Sequence, residues 1–270
     1  MKLKTLFVIF NVLIGISFLF VFLMPAMFLG WDYAGVFWGE NWYLALLFVA
    51  VFAVLNLFFG LNYRLFTALE REDWDAVISV LEKRVLEKHR FTAGNIRILV
   101  NAYIIRSLSE RIGLLEQEIR DHKPQLLPRY ALVLGIPHFL SNDGTKIVEY
   151  YGPFVHSVKG TAGDWVRWSY AFGLMLQQRS EEAQETLESL CENGKDVVVQ
   201  ALSGYLLEAY ADQDDKLSTR IHQYRSSITG RISRKEWEKT VEKQRSELYV
   251  LILSKLLLDV TEWLYKENDR

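Results

Sequence analysis

The chain has 270 residues, a formal net charge of −2, a single cysteine, 50% hydrophobic and 14% aromatic residues. That length supplies one or two domains with a full core. The near-neutral balance argues against nucleic-acid binding, which needs a basic stripe, and one cysteine excludes an intramolecular disulfide framework or a multi-cysteine zinc site.

Charge is distributed unevenly: residues 1–60 carry only Lys2, Lys4, Asp32 and Glu40. No charged residue lies between Thr5 and Trp31, and residues 6–24 are almost wholly aliphatic and aromatic. A second uncharged stretch runs from Asn41 to Tyr63. A helix needs roughly 20 apolar residues to cross ~30 Å of hydrocarbon, so each stretch predicts a transmembrane helix, at about residues 5–24 and 42–61. The segment between them holds Trp31, Tyr33, Trp38 and Trp42, residue types that gather at the headgroup level, and predicts a short aromatic-rich external loop. A cleaved signal peptide fits less well, because the apolar run exceeds that pattern, Pro25-Ala26-Met27 offers no small-x-small site, and a second span follows.

Orientation follows from the basic residues. Lys2 and Lys4 precede the first span, Arg64 and Arg71 follow the second, and the turn between them has neither Lys nor Arg. The positive-inside rule therefore predicts a multi-pass inner-membrane protein with both termini and the bulk of the chain in the cytoplasm. No proline or glycine-rich linker separates the second span from NYRLFTALE. The span is therefore expected to extend as a helix into the next element, with Leu65, Phe66 and Leu69 on its apolar face.

Residues 64–230 read as helical throughout, and the pattern repeats. Ile78, Leu81 and Val85 form an apolar stripe that recurs at Ile112, Leu115 and Ile119, at Val148, Tyr151 and Val155, and at Leu187 and Cys191. The central positions Leu81, Leu115, Tyr151 and Leu187 lie 34, 36 and 36 residues apart. Other helical stretches precede these helices with a small residue near the middle: Ala102, Gly135, Gly173 and, after the last stripe, Gly204. A small side chain there lets two helix backbones approach closely. Pro124, Pro128, the run Ser141-Asn142-Asp143-Gly144, and Gly160 with Gly163 mark the breaks between helices.

With this period and these small residues, residues 64–225 resemble a divergent member of the tetratricopeptide repeat (TPR) superfamily, whose helical hairpins repeat about every 34 residues. Ala102, Gly135, Gly173 and Gly204 look like that family's small packing position, and Pro124 like its repeat-closing proline; the consensus tryptophan and second-helix alanine are missing from most units. Two spans followed by such repeats also make a layout similar to that of HemY-type bacterial proteins. The resemblance implies that the first helix of each hairpin lines a concave groove for a protein ligand. Counted from the small residues, the groove positions would be Tyr103, Arg106, Arg129, Phe139, Arg167, Tyr170, Gln177 and Tyr205. Arginines with aromatics would suit an extended acidic peptide or helix; the aromatics would equally suit the core between repeats.

From Ser233 to Glu267 the chain reads as one or two long helices, with a charged first half and an apolar run between Leu248 and Leu258. As a third span it would place Lys255 and Asp259 in lipid at ~2.5–3.5 kcal/mol each. A helix capping the open end of the repeats is the favoured reading, and an oligomer or complex seam is the alternative.

Chemistry is sparse. His89, His122, His138, His156 and His222 occur singly, with no HExxH, no HxxxH and no carboxylate at ligand spacing; Cys191 reads as a packed hydrophobe; no phosphate-binding glycine loop or nucleophile elbow is present. The expected fold is all-α: a transmembrane helical hairpin in residues 1–62, a TPR-like α-α superhelix in 63–230 and a C-terminal cap in 231–270. The expected function is a membrane-anchored scaffold or adaptor that binds protein partners, with no catalytic residue, cofactor or metal. The alternative is a structural subunit of a larger membrane-associated complex for secretion, envelope assembly or motility.

Overall fold

The computed structural model describes residues 3–211, 214–244 and 248–265, and among them every regular element is helical. Contacts divide the chain into two compact units, Met1–Lys88 and His89–Arg270.

The first unit opens with α1 (Leu3–Leu29) and α2 (Trp31–Glu70). Both are long and apolar enough to cross a membrane, and their most apolar stretches are not buried by the rest of the protein. The predicted aromatic loop is instead helical. Gly30 alone separates the two helices, with φ +88°, a left-handed conformation that glycine adopts without steric penalty. The aromatic segment forms the first turns of α2, and the break that sets it off falls at Asn41, where φ is −113° and ψ 24°. Aromatic stacking zips the two helices together: Phe7 on Phe59, Phe18 on Phe48 and Phe22 on Trp38, with centroids 3.7, 4.4 and 4.8 Å apart. Midway, Asn56 Nδ2 donates to Asn11 Oδ1 at 2.8 Å, the type of polar contact that holds helices together where surrounding lipid gives no hydrophobic drive.

As expected, α2 runs unbroken past Gly60 to Glu70. Its end buries Leu65 and Ala68 as α3 (Trp74–Glu82) folds back on it with Val77, Ile78 and Leu81. A π-helical turn, Lys83–Glu87, follows. From it Arg84 clamps the end of α2, donating to Asn62 Oδ1 and the Leu61 carbonyl at 2.8 and 2.9 Å.

The second unit is built of α4 (Ala93–Ile105), α5 (Glu110–His122), α6 (Leu127–Leu134), α7 (Ile136–Leu140), α8 (Gly144–Tyr151), α9 (Gly160–Leu176), α10 (Ser180–Asn193), α11 (Val197–Ala211) and α12 (Asp215–Arg231). They stack in sequence, α9 between α8 and α10, and α11 between α10 and α12. The arrangement is repeat-like at the level of the backbone. Left-handed residues sit at the turns between paired helices: Glu72, Ser107, Asn142 and Gln178, spaced 35, 35 and 36 residues apart. Each of these helix ends leaves carbonyls that need donors. At three of the turns the next residue closes back over five positions: Asp73 to Ala68, Leu108 to Tyr103 and Arg179 to Leu174, with N···O of 2.9, 2.8 and 3.0 Å. This is the Schellman closure. Several of the second helices then start on an aspartate N-cap: Asp73 accepts from Ala76 N–H, Asp143 from Thr145 and Lys146, and Asp214 from Lys216 and Leu217.

The stripe predicted on the second helices is buried at Leu81, Leu115, Tyr151 and Leu187, and Ile221, a further 34 residues on, continues it. The phase is off by one in α8. There Ile147, Tyr150, Tyr151 and Phe154 are buried, while Val148 and Val155 are only half-buried. The small residues act as expected at Gly135, where a Cβ would collide with the Tyr151 and Tyr150 rings of its own hairpin partner. Gly173 instead faces Ile147 and Val148 of the preceding hairpin, and Gly204 faces Trp263 near the C-terminus.

Among the described residues the C-terminal segment forms α13 (Arg234–Gln244), α14 (Leu248–Ile252) and α15 (Ser254–Tyr265), and the expected long helical stretch is interrupted at Leu253. A capping box starts α13: Ser233 N–H donates to Glu236 Oε2 at 3.0 Å, and Ser233 Oγ accepts from Glu236 N–H. Helix α15 packs on α11 and α12, as a cap should, and buries Leu257, Val260 and Leu264. Helix α14 reaches further and meets α6, while the Tyr249 ring lies 4.5 Å from that of Trp165 of α9, tilted by 56°.

Candidate binding hollow on the first-helix side

That return path decides what the predicted groove positions do. Around Tyr249, Ile252 and Leu253 close Leu132, Ile136, Phe139, Trp165 and Trp168, which leaves a gap of only about 10 Å³. The chain's own C-terminal helices thus pack on α6, α9 and α11. Phe139 is packed against Phe172 and Trp168, with centroids 5.2 and 6.1 Å away, and Tyr205 meets Trp263 edge-on at 6.0 Å. Tyr103 is 1% exposed among Ile96, Leu99 and Val100. Tyr103 is therefore a core residue, while Phe139 and Tyr205 are half-buried against the core.

The polar positions separate. Arg106 is exposed at the C-terminal end of α4. Gln177 ends α9 and accepts from Arg179 at 3.3 Å. Arg167 and Tyr170 come together on the opposite side, in a hollow of 630 Å³ shared with His156, Lys159, Glu182 and Lys195. Arg167 is not available there as a free cation, because its Nη2 donates to Asp164 Oδ1 at 2.6 Å.

Asp164 is a residue the sequence reading passed over. It is 1% exposed and accepts, besides Arg167, the backbone N–H groups of Lys195 and Asp196. Asp196, also buried, accepts from Trp165 Nε1 at 3.1 Å, from Val198 N–H at 2.9 Å and from Gln244 of α13. The two carboxylates therefore join α9, the α10–α11 turn and the C-terminal segment. Their only sequence signal was an aspartate three residues before an arginine in an otherwise apolar helix.

Arg129 lies in the part of the first-helix side that stays open. It lines a 270 Å³ hollow with Arg97, Tyr130, Val133 and Tyr249, into which the first residues of α4 (Ala93) and α9 (Thr161, Ala162) also open. Two guanidiniums thus lie beside the starts of two helices, whose ends carry partial positive charge, and Thr92 Oγ1 caps the first by accepting from Asn95 N–H. The wall is fixed: Tyr130 donates its hydroxyl to the Phe91 carbonyl at 2.7 Å. Burial pushes that phenol's pKa up, with Arg129 opposing, so it stays a donor.

Of two further expectations, one holds and one changes. Cys191 is largely buried, with Sγ 3.7 Å from the Gln200 carbonyl, and burial followed by Glu188 and Glu192 raises its thiol pKa far above the ordinary range. That supports the packed-hydrophobe reading. The histidines, in contrast, are not all single: His89 and His122 meet across Glu118. Glu118 stands four residues before His122, one helical turn away on α5, so a carboxylate at ligand spacing was present in the sequence after all.

A family model described as "Uncharacterised Treponema protein" matches residues 111–266, from the first turn of α5 to the end of the described C-terminal helices. A relative from Treponema pallidum (strain Nichols), described as an uncharacterized protein, is 24% identical, over 98% of this chain and 88% of its own. No solved structure matches. Because the family match covers more than half of the chain, the protein belongs to the family of uncharacterised Treponema proteins.

Proposed function

We propose that this protein is a membrane-anchored scaffold of tetratricopeptide type that holds an acidic segment of a protein partner on its second unit. The observation that carries the reading is the hollow of Arg97 and Arg129, walled by two helix N-termini and opening on the first-helix side. The recurrence of left-handed turn residues every 35 or 36 residues supports the tetratricopeptide assignment. The apolar, unburied lengths of α1 and α2 support insertion in the inner membrane. The basic residues at both outer ends of that hairpin support cytoplasmic termini and a cytoplasmic second unit. The protein acts by position rather than chemistry: anchoring concentrates the partner at the membrane, and a preformed hollow reduces the ordering that binding requires.

Arg129→Glu tests the hollow, since Arg129 is exposed and lies 5.9 Å over the Tyr130 ring, with no buried ion pair to break. With a photo-reactive residue at Val133 in native membranes, we expect a discrete protein adduct whose yield falls at least about tenfold in Arg129→Glu, the loss of one charge-assisted contact worth ~1.5–3 kcal/mol. An adduct of undiminished yield would remove the hollow from the account. Arg167→Glu is unsuitable for this purpose, because it would set a second negative charge against the buried Asp164.

The second reading, a permanent subunit of a larger membrane complex or a homo-oligomer, is favoured by one feature. Leu251 and Leu258 of the C-terminal helices remain 51% and 68% exposed. A stoichiometric complex on detergent purification supports the subunit, and a monodisperse single species supports the adaptor.

A further inference from the structure

We infer that His89, Glu118 and His122 form a binding site for a divalent transition metal of the zinc class, independent of the hollow described above. Glu118 and His122 present from one face of α5, and His89 comes from the loop that precedes α4. Nδ1 of each histidine stands 3.2 Å from the same oxygen, Glu118 Oε1, and one ligand atom from each of the three residues lies within 4.8 Å of the others. Ligands bound tetrahedrally at ~2.0–2.1 Å are separated by about 3.3–3.4 Å, so both nitrogen–oxygen separations already match an edge of that polyhedron. The two imidazoles lie face to face, centroids 3.9 Å apart and planes 22° from parallel, so binding one ion would part the rings until it lies in the plane of each.

Three features point to a ligand rather than to a simple hydrogen-bonded cluster. First, Nδ1 of His89 is sealed from solvent yet makes no aligned hydrogen bond, although the carboxylate is near. A buried ring nitrogen in that state is an orphan in a protein that satisfies most of its polar groups. Second, His89 has φ +47°, a left-handed backbone that a non-glycine residue adopts at an energetic penalty; strain of this sort collects at functional positions. Third, the cluster sits at the C-terminal end of α5, where backbone carbonyls favour a cation; ligation through His122 Nδ1 would displace the hydrogen bond that this nitrogen makes to the Glu118 carbonyl at 3.1 Å. Two imidazoles and one carboxylate are a borderline nitrogen–oxygen donor set that suits zinc, with the fourth position left to water because His122 and His89 are partly exposed. Bound metal would join the entry to the second unit, at its first residue, to the far end of the α4–α5 hairpin.

The test uses the full chain in detergent, stripped with a chelator and titrated with zinc ions by calorimetry, with melting followed in parallel. One zinc per chain is expected, with a higher Tm in zinc than in chelator, because metal binding only the native state adds to its stability. His89→Gln, Glu118→Gln and His122→Gln should each weaken zinc binding at least tenfold and abolish the Tm shift. His122 is exposed, so His122→Gln should melt in chelator as the unaltered chain does. Cobalt in place of zinc should give the visible absorption of a four-coordinate site, lost in the same variants. Absence of stoichiometric zinc binding in the unaltered chain, or unchanged binding in His122→Gln, would overturn the assignment.

Discussion

Asp164→Ala is expected to destabilise the second unit by about 3 kcal/mol or more, as removal of one member of a buried, hydrogen-bonded charge pair does. The carboxylate is 1% exposed, and its loss strands two backbone donors, Lys195 N–H and Asp196 N–H, at the turn that leads into α11. It also releases Arg167, whose guanidinium is partly exposed and can turn to water. Most of the penalty therefore falls on the turn. Asp164→Asn, which keeps an acceptor oxygen but not the charge, should lose distinctly less. Denaturant unfolding followed by tryptophan emission reads the effect directly, because Trp165 and Trp168 are buried on the same helix.

Trp237→Ala is expected to cost about 3–5 kcal/mol, the range for emptying a large aromatic site. Trp237 is completely buried, and its Nε1 donates to Thr261 Oγ1 at 2.8 Å, so one side chain fastens α13 to α15. Trp237→Phe should lose only the hydrogen bond and some packing, roughly 1–2 kcal/mol. The two variants also differ in where they loosen the molecule. If α13–α15 cover the inner face, Trp237→Ala should increase hydrogen exchange at the backbone of α14 and α15 ahead of that of α9 and α10. Equal exchange across all these helices would mean that the C-terminal segment is no separate cover.

Much of this architecture is legible in the amino-acid sequence. The uncharged stretches of residues 5–31 and 41–63 admit little besides apolar helices, and the recurrence of Leu81, Leu115, Tyr151 and Leu187 registers the second helices because burial enforces an apolar side chain there. What was not legible depends on backbone geometry or on contacts distant in the chain. The left-handed turn positions are Glu72, Ser107, Asn142 and Gln178, which share no side-chain chemistry, so no composition rule exposes them. The aromatic segment after Gly30 reads as a loop from its tryptophans, yet it has no proline, and the helix carries Gly35 and Gly39 through to the break at Asn41. In α8, two adjacent tyrosines are both buried, which hides the phase by one residue.

The candidate site was less legible still. Groove positions were counted along single helices, but Phe139 and Tyr205 owe their burial in part to Trp168, Phe172 and Trp263, which only the folded chain brings to them. Arg97 and Arg129 lie 32 residues apart and share a hollow only because α4 and α6 pack side by side. Likewise Glu118 and His122 are evident on one helix face, whereas His89 reaches them across the α4–α5 hairpin.

Cysteine labelling measures directly whether α1 and α2 form a membrane hairpin with the second unit on the side of the basic residues. Val36→Cys places a thiol on an exposed position near the turn, and Ser226→Cys one on exposed α12. Cys191, largely buried and with its thiol pKa raised, contributes little background. With a membrane-impermeant maleimide on spheroplasts, position 36 should label at once and position 226 only after the membrane is opened. Labelling of position 226 in sealed spheroplasts, or release of the protein by alkaline washing, would contradict the account.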